Sequence, residues 1–496
     1  MRLVGHRTTG CTWLSRAALI LCVSCAGYLA GCVDQAGEVQ TYRDVLDGHQ
    51  PAPKALADGE TLTLGRALAL ANADNEQIAS QGEAYLQALI NKNRTVAAFL
   101  PTVSFQPNFT IEQAPRGSGA PAAPGAPSPS AAAAAASAGG YVQDGSVLRR
   151  LEAPVVGGMT LSYGRVPTFE AAKMAVVQQK QLLADAQATV LLNVAQAYTQ
   201  VLISTRQVSV LEQSLALQEA RVADIEARYQ VRLALGLDVS QALSDEAATR
   251  VSLTQASNDV RSGRRALAVL IGASQVDGPL SDELVPPESP GALGDHVAMA
   301  LAHRQDLLAA QAAVKAARYA VDSAVSEYYP SVSLDVAGFL YRENYSSATK
   351  WDGVLLANLP IFSAGTIRAD VRTAWSRLRQ AALYESYLRR QVEQGVRTAY
   401  DNYVTSEGVL ADLGSEVKAS SEAYRQSVDL ERNGLAIPLD VLTAQNSLLN
   451  SQLQYANEAY SRIIYYLDLV RAAGELTPQT PDELKAKRPS APAPAG

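Results

Sequence analysis

Few side chains in this chain of 496 residues could do chemistry. The four histidines are His6, His49, His296 and His303, and no two have metal-ligand spacing. A histidine-built metal centre or catalytic triad is therefore disfavoured. No serine elbow and no phosphate-cradling glycine loop with its lysine occurs. The scattered Asp, Glu, Arg and Gln read as the solvated faces of helices. The expectation is no enzyme, no catalytic residue, no resident metal and no cofactor. A formal net charge of -7 also argues against a nucleic-acid partner.

The remaining reactive groups are four cysteines, Cys11, Cys22, Cys25 and Cys32, all near the start. Arg2, Arg7 and Arg16 precede an apolar stretch from Ala17 to Tyr28, and no acidic residue occurs before Asp34. That stretch is too short for a stable membrane span and reads as a signal-peptide core. It ends in Leu29-Ala30-Gly31-Cys32, which resembles the bacterial lipobox. The expectation is a signal peptide over 1–31 and a covalent lipid on Cys32, heading an acylated linker over 32–61. Each acyl CH₂ buried contributes ~0.8 kcal/mol, so several chains anchor stably where one does not. By analogy with enterobacterial lipoproteins, Val33 carries no inner-membrane retention signal, so the outer membrane is the expected destination.

The elements beyond this anchor come in two copies. At an offset of 202 positions, Ala197-Tyr198 meets Ala399-Tyr400, Asp238-Val239 meets Asp440-Val441, and Gly272 meets Gly474. Upstream, at an offset of 229, Pro101-Thr102-Val103-Ser104 meets Pro330-Ser331-Val332-Ser333. The difference is an insertion in the first copy, the Pro/Ala/Gly/Ser tract over 113–145, which has no periodicity and reads as a disordered loop. The repeats span 62–274 and 295–474, joined by a linker over 275–294 and followed by a Pro/Ala-rich tail over 475–496, also read as disordered.

Each repeat is dominated by one long helix, expected at about 167–230 and 365–431. Val190, Val194, Ala197, Val201, Ser204, Val208 and Leu211 are separated by threes and fours, a coiled-coil period. A second stripe through Leu191, Tyr198 and Leu202 gives the helix two contact faces, as a ring of helices requires. Scarce Phe (6) and Trp (3) fit thin, closely packed helices better than a compact globular core. Shorter helices are expected at about 237–272 and 438–474, and at 62–98 and 295–329. Turns at 231–237 and 432–438 end the long helices.

Between the helices lie segments alternating apolar and polar with period two, at about 101–112, 148–161, 330–341 and 351–362. Their length suits tilted transmembrane strands. Four strands cannot close a barrel, and lipid does not tolerate open edges. The strands therefore demand oligomerisation, and three copies would supply twelve. The expected fold is mainly α with a β-barrel part: two structural repeats forming an α-barrel tunnel, plus four strands per protomer in a trimeric 12-stranded transmembrane barrel.

In this layout the chain resembles the TolC-like outer-membrane efflux protein family, most closely its lipidated branch. The residues that carry the resemblance are Leu62-Thr63-Leu64, Leu100-Pro101-Thr102-Val103, Pro360-Ile361-Phe362-Ser363-Ala364-Gly365 and Leu439-Asp440-Val441-Leu442, in that order over about 62–474. The resemblance implies a homotrimer embedded in outer-membrane lipid. It also implies a periplasmic adaptor (membrane fusion) protein and an inner-membrane pump, of RND type, as partners. The implied function is the outer-membrane channel of a tripartite efflux system, carrying drugs or other small solutes. An exit duct for type I protein secretion and a non-conducting, periplasm-spanning coiled-coil lipoprotein are the other readings.

The resemblance makes the helix-turn-helix tips the closed aperture and the adaptor-docking surface. Arg228, Leu233, Gly434 and Leu435 fall on the docking motif. Arg232 stands where the family often has glycine in the first tip, and Leu430 where it has arginine in the second. Some family members ring the aperture with two Asp three residues apart. Asp440 matches the first, Thr443 stands at the second, and Asp238 is the equivalent in the first repeat. Three Asp440 in a narrow throat would favour cations and could bind a divalent ion. The local alternative is that each Asp merely stabilises a helix N-terminus, by a few tenths of a kcal/mol.

Overall fold

The structure is a computed structural model and describes residues 35–47, 59–113, 147–282, 284–287, 289–343 and 349–478. The signal peptide, Cys32, nearly all of the Pro/Ala-rich loop and the tail beyond 478 lie outside the described residues. The chain divides into two units, 1–50 and 51–496. In the first, helix α1 (Gln35–Asp47) occupies part of the span expected to be linker. Its Gln40 amide donates to Asp44 one turn on, at 2.7 Å.

The second unit contains both repeats, which thus do not separate into independent domains. Its helices are α2 (Leu64–Asp74), α3 (Glu76–Ala97), α4 (Arg165–Gln230), α5 (Gly236–Leu270), α6 (Leu293–His303), α7 (Gln305–Ser326), α8 (Thr366–Arg432) and α9 (Pro438–Ala473). The strands are β1 (Thr102–Phe105), β2 (Asn108–Gln113), β3 (Val147–Ser162), β4 (Ser331–Glu343) and β5 (Trp351–Asn358). The long helices α4 and α8 have 66 and 67 residues, roughly 100 Å each at 1.5 Å per residue.

Several elements depart from expectation for local reasons. The helices expected at 62–98 and 295–329 are each broken in two. Asn75 is extended at the first break; its Oδ1 accepts from Gln77 N at 2.9 Å and its Nδ2 donates to Leu270 O at 3.0 Å. That side chain starts a new helix and satisfies the end of α5 at once. At the second break Arg304 is extended, and its Nε donates to Asp306, which also accepts from Leu307 N. The first strand is interrupted between β1 and β2, where Pro107 has no N–H to donate. Gln106 N still reaches Pro154 O at 3.0 Å, holding both halves on β3. The fourth strand stops at Asn358 rather than continuing to 362. Pro360 ends the ladder, and Ala364 (φ 49°) with Gly365 (φ 86°) turns the chain into α8.

The sheet is antiparallel, in the order β1/β2–β3–β4–β5. Among the described residues, β1/β2 and β5 each pair on one side only. Cross-strand partners share a face, so the register sorts the residues. On one face run Phe105–Val155–Gly338–Trp351, Met159–Leu334–Leu355 and Leu161–Val332–Ala357. On the other run Thr102–Gly158–Asp335–Val354, Thr160–Ser333–Leu356 and Ser162–Ser331–Asn358. Across these rows the first face is apolar and the second carries the polar groups. Gly158 leaves room for Asp335, whose Oδ1 would lie 2.8 Å from a Cβ placed there.

Below the sheet the helices form a single layer. Nearest the strands the contacts run α3–α4–α7–α8; towards the tips they run α5–α4–α9–α8. The best-buried zone lies midway along this layer. Tyr198, fully buried, has its hydroxyl 2.9 Å from Leu62 O and 2.7 Å from Ser281 O, and ties the start of the first repeat and the inter-repeat linker to α4. Tyr403, also fully buried, is tied likewise to Pro287 O. Arg471 joins α9 to α4, 2.8 Å from the Thr189 hydroxyl and 3.7 Å from the Asp185 carboxylate. Burial, and then the nearby Asp306, raise the Asp185 pKa against the pull of Arg471 and Arg304. Burial likewise raises that of Asp468 against Arg471.

Candidate functional site: the helix-turn-helix tips

Both tips are built from one backbone device. At the end of α4, Leu233 N donates to Arg228 O (2.8 Å) and Arg232 N to Tyr229 O (2.9 Å). At the end of α8, Leu435 N donates to Leu430 O (2.8 Å) and Gly434 N to Glu431 O (2.9 Å). These paired bonds form a Schellman motif, which requires a left-handed residue just past the helix. Gly434 occupies that position with φ 71°, and Arg232 with φ 65°. The arginine that replaces glycine in the first tip is thus held in a conformation disfavoured for any residue with a Cβ.

Just beyond each turn the two aspartates do the same local work. Asp238 Oδ2 accepts from Leu235 N at 2.9 Å, and Asp440 Oδ2 accepts from Ile437 N at 3.1 Å. Each closes the first turn of α5 or α9 and sits at its positive end. Asp440 is exposed and Asp238 half-buried. Thr443, one turn after Asp440, is exposed and donates to Leu439 O at 2.8 Å. Among the described residues no three His, Cys, Asp or Glu gather into a metal-holding group.

The tips expose apolar side chains. Leu233 and Leu435 are 79% and 76% exposed, flanked by Val231, Leu235 and Leu237 in one tip and Ile437 in the other. Arg228 does not share this surface. Its guanidinium pairs with Asp224 at 2.9 Å and with Glu431 at 3.3 Å. Arg221 pairs with the same Glu431, whose side chain is only 2% exposed. The end of the first repeat's long helix is thereby clamped to the end of the second's. Of the four docking-motif residues, Leu233, Gly434 and Leu435 lie in the turns, while Arg228 braces from behind.

The motif comparison missed Glu431 and Arg221. The repeat register gave no signal: Glu431 stands where the first copy has Tyr229, which is exposed. Only the pairing with arginines of the other repeat accounts for a buried carboxylate there.

Residues 297–475, α6 through α9, match the family model described as outer membrane efflux protein. The chain is 26% identical over 320 residues to the outer membrane efflux protein BepC of Brucella suis, covering 62% of this chain and 68% of that protein. It is 24% identical over 299 residues to the probable outer membrane lipoprotein SilC of Salmonella typhimurium, covering 57% and 62%. These matches thus span about two thirds of the relatives' length. The outer membrane protein VceC of Vibrio cholerae superposes with a TM-score of 0.71 at 18% identity, over 83% of this chain and 96% of that one. The chain has the fold of VceC and is similar in sequence to outer membrane efflux proteins.

Proposed function

We propose that three copies of this chain close a twelve-stranded barrel in the outer membrane, with a helical duct beneath it, as the exit channel of a tripartite efflux system. The observation that carries this reading is the sheet: across the rows between Phe105–Val155 and Ser162–Ser331 one face is apolar and the other carries the polar groups, and among the described residues both edges are unpaired. In lipid such edges must be joined. β5 and α8 lie at one side of the protomer, β1/β2, α3 and α5 at the other. A single contact between successive copies therefore joins strand to strand and helix to helix, and repetition closes the ring. The apolar face meets lipid and the polar face lines the lumen.

At the far end, the exposed leucines of the tips offer an apolar surface to a periplasmic adaptor, and an inner-membrane pump of RND type loads the duct. The lipid on Cys32 adds a second attachment to the outer membrane. Asp440 contributes charge to the aperture while capping α9. A non-conducting spacer would have no use for an amphipathic sheet.

Purified protein tests this in planar bilayers. A trimer by mass, with stable conductance, is the expected result; a monomer without conductance would refute it. Asp440→Asn keeps a capping oxygen and removes the charge. Reduced cation selectivity is expected, and unchanged selectivity and conductance would remove Asp440 from the aperture. Loss of palmitate labelling in Cys32→Ala is the corresponding test of the anchor.

A further inference from the structure

At the junction of sheet and helices lies a half-open cavity of about 390 Å³, bordered by the ends of α3, β3, α7 and β5 and the starts of α4 and β4. That volume lies within the range of small-molecule sites, roughly 300–1,000 Å³. Ser162, Ser331 and Asn358 border it, and all three belong to the polar face of the sheet. Given the channel reading above, on which this inference rests, the cavity opens towards the lumen.

Its donors and acceptors are unevenly distributed. On the helical wall, Thr95 Oγ1 donates to Lys92 O and Thr168 Oγ1 to Gly164 O. The Ser326 hydroxyl donates to Ser323 O. Ser323 Oγ is 2.9 Å from Thr168 Oγ1; with the Thr168 proton already committed, Ser323 is the donor there. The four hydroxyl protons are spent, so these oxygens face the cavity as acceptors. Glu327, exposed at the same wall, adds a carboxylate. The cavity's cation is Arg165, held by Ala98 O and lying 6.0 Å from the Phe99 ring centroid. A guanidinium has five N–H donors, so others stay available. Tyr329 and Pro360 supply an apolar border.

An acceptor wall with a carboxylate calls for an ammonium, and a fixed guanidinium calls for a carboxylate. We infer that this junction cavity is a solute subsite for small organic zwitterions that carry an ammonium, a carboxylate and an apolar body. A solute with one charge satisfies half of the site; a zwitterion satisfies both halves.

Calorimetry on the full-length protein in detergent tests this with three probes that share one ring: L-phenylalanine, 3-phenylpropanoate and 2-phenylethylamine. Phenylalanine should bind about tenfold more tightly than either singly charged probe, a difference of ~1.4 kcal/mol. Glu327→Gln, at an exposed position, should weaken phenylalanine and phenylethylamine and leave phenylpropanoate unchanged. Arg165→Gln should weaken phenylalanine and phenylpropanoate, while Arg165→Lys retains part of both. Equal binding of the three probes, absence of heat with phenylalanine, or indifference to Glu327→Gln would overturn the inference. Conductance of the same preparation separates the two readings. A conducting trimer that ignores phenylalanine refutes the subsite alone, whereas phenylalanine binding without conductance refutes the channel and, with it, the cavity's role as a subsite on a solute path.

Discussion

The left-handed arginine in the first tip yields a prediction whose size follows from backbone geometry. Arg232 has φ 65° at the position where the second tip has Gly434 with φ 71°. Left-handed backbone costs a residue with a Cβ about 1–2 kcal/mol. Glycine removes that cost but loses about 0.5–1 kcal/mol through its freer unfolded chain. Arg232→Gly should therefore stabilise the turn by roughly 0.5–1 kcal/mol net. Gly434→Ala is the reverse experiment. A Cβ there meets nothing within 4 Å, so its cost is purely conformational, about 1 kcal/mol. The tip opens locally without global unfolding, so hydrogen exchange at the bonded amides is the suitable assay. Exchange at Leu233 N should slow two- to fivefold in Arg232→Gly, and at Leu435 N should quicken about fivefold in Gly434→Ala. Faster exchange in Arg232→Gly, or no response in either variant, would refute the argument that the turn stores backbone strain.

Three further outcomes follow from other parts of the molecule. Leu355 lies on the apolar face of β5 and Leu356 on the polar face, so Leu355→Lys should impair membrane assembly by about 2–4 kcal/mol if it lies near mid-membrane. Leu356→Lys should be tolerated, and equal yields of folded trimer from the two would contradict the assignment of faces. Glu431→Gln leaves Arg221 and Arg228 with Asp224 of their own helix as their remaining carboxylate and should destabilise the lower helices by roughly 1–3 kcal/mol, read as a lower unfolding midpoint. Burial raises the Asp468 pKa, so the folded state holds that proton more tightly than the unfolded chain does. Its contribution is therefore most favourable below the ordinary carboxylate range and is lost as pH rises through the raised value. Asp468→Asn should accordingly raise the thermal midpoint at neutral pH, with a gain that shrinks on acidification; a gain independent of pH would contradict the sign.

The long helices were legible because their apolar residues recur in threes and fours over many turns, a pattern a loop does not sustain. The paired strands were legible because alternation survived in both copies. The breaks at Asn75 and Arg304 were not legible, since each depends on a side chain engaging partners outside ordinary helical periodicity. Neither was the end of β5: alternation continues through Leu359 and Ile361, yet Pro360 removes the donor on which the ladder depends. At the tips, motif comparison found the turn residues but gave Arg228 to the docking surface. Arg228 pairs with Asp224 one turn before it and with Glu431 about 200 positions away in sequence, and only the three-dimensional packing of the repeats brings the second pair together.

The single layer of helices carries a mechanical consequence. Inside each protomer, α4 meets α7 and α9 along a seam that the chain itself holds together. In a closed ring of three, the comparable seam on α8 has no covalent tether. Six joints would then alternate between hinged and merely abutting. Weakening only the abutting set would part the stalk into three rigid leaves, whereas weakening the hinged set would let each leaf fold along its own midline. Substitutions at α4 and at α8 thus address different modes of dilation, even where the residues are equivalent in the two repeats.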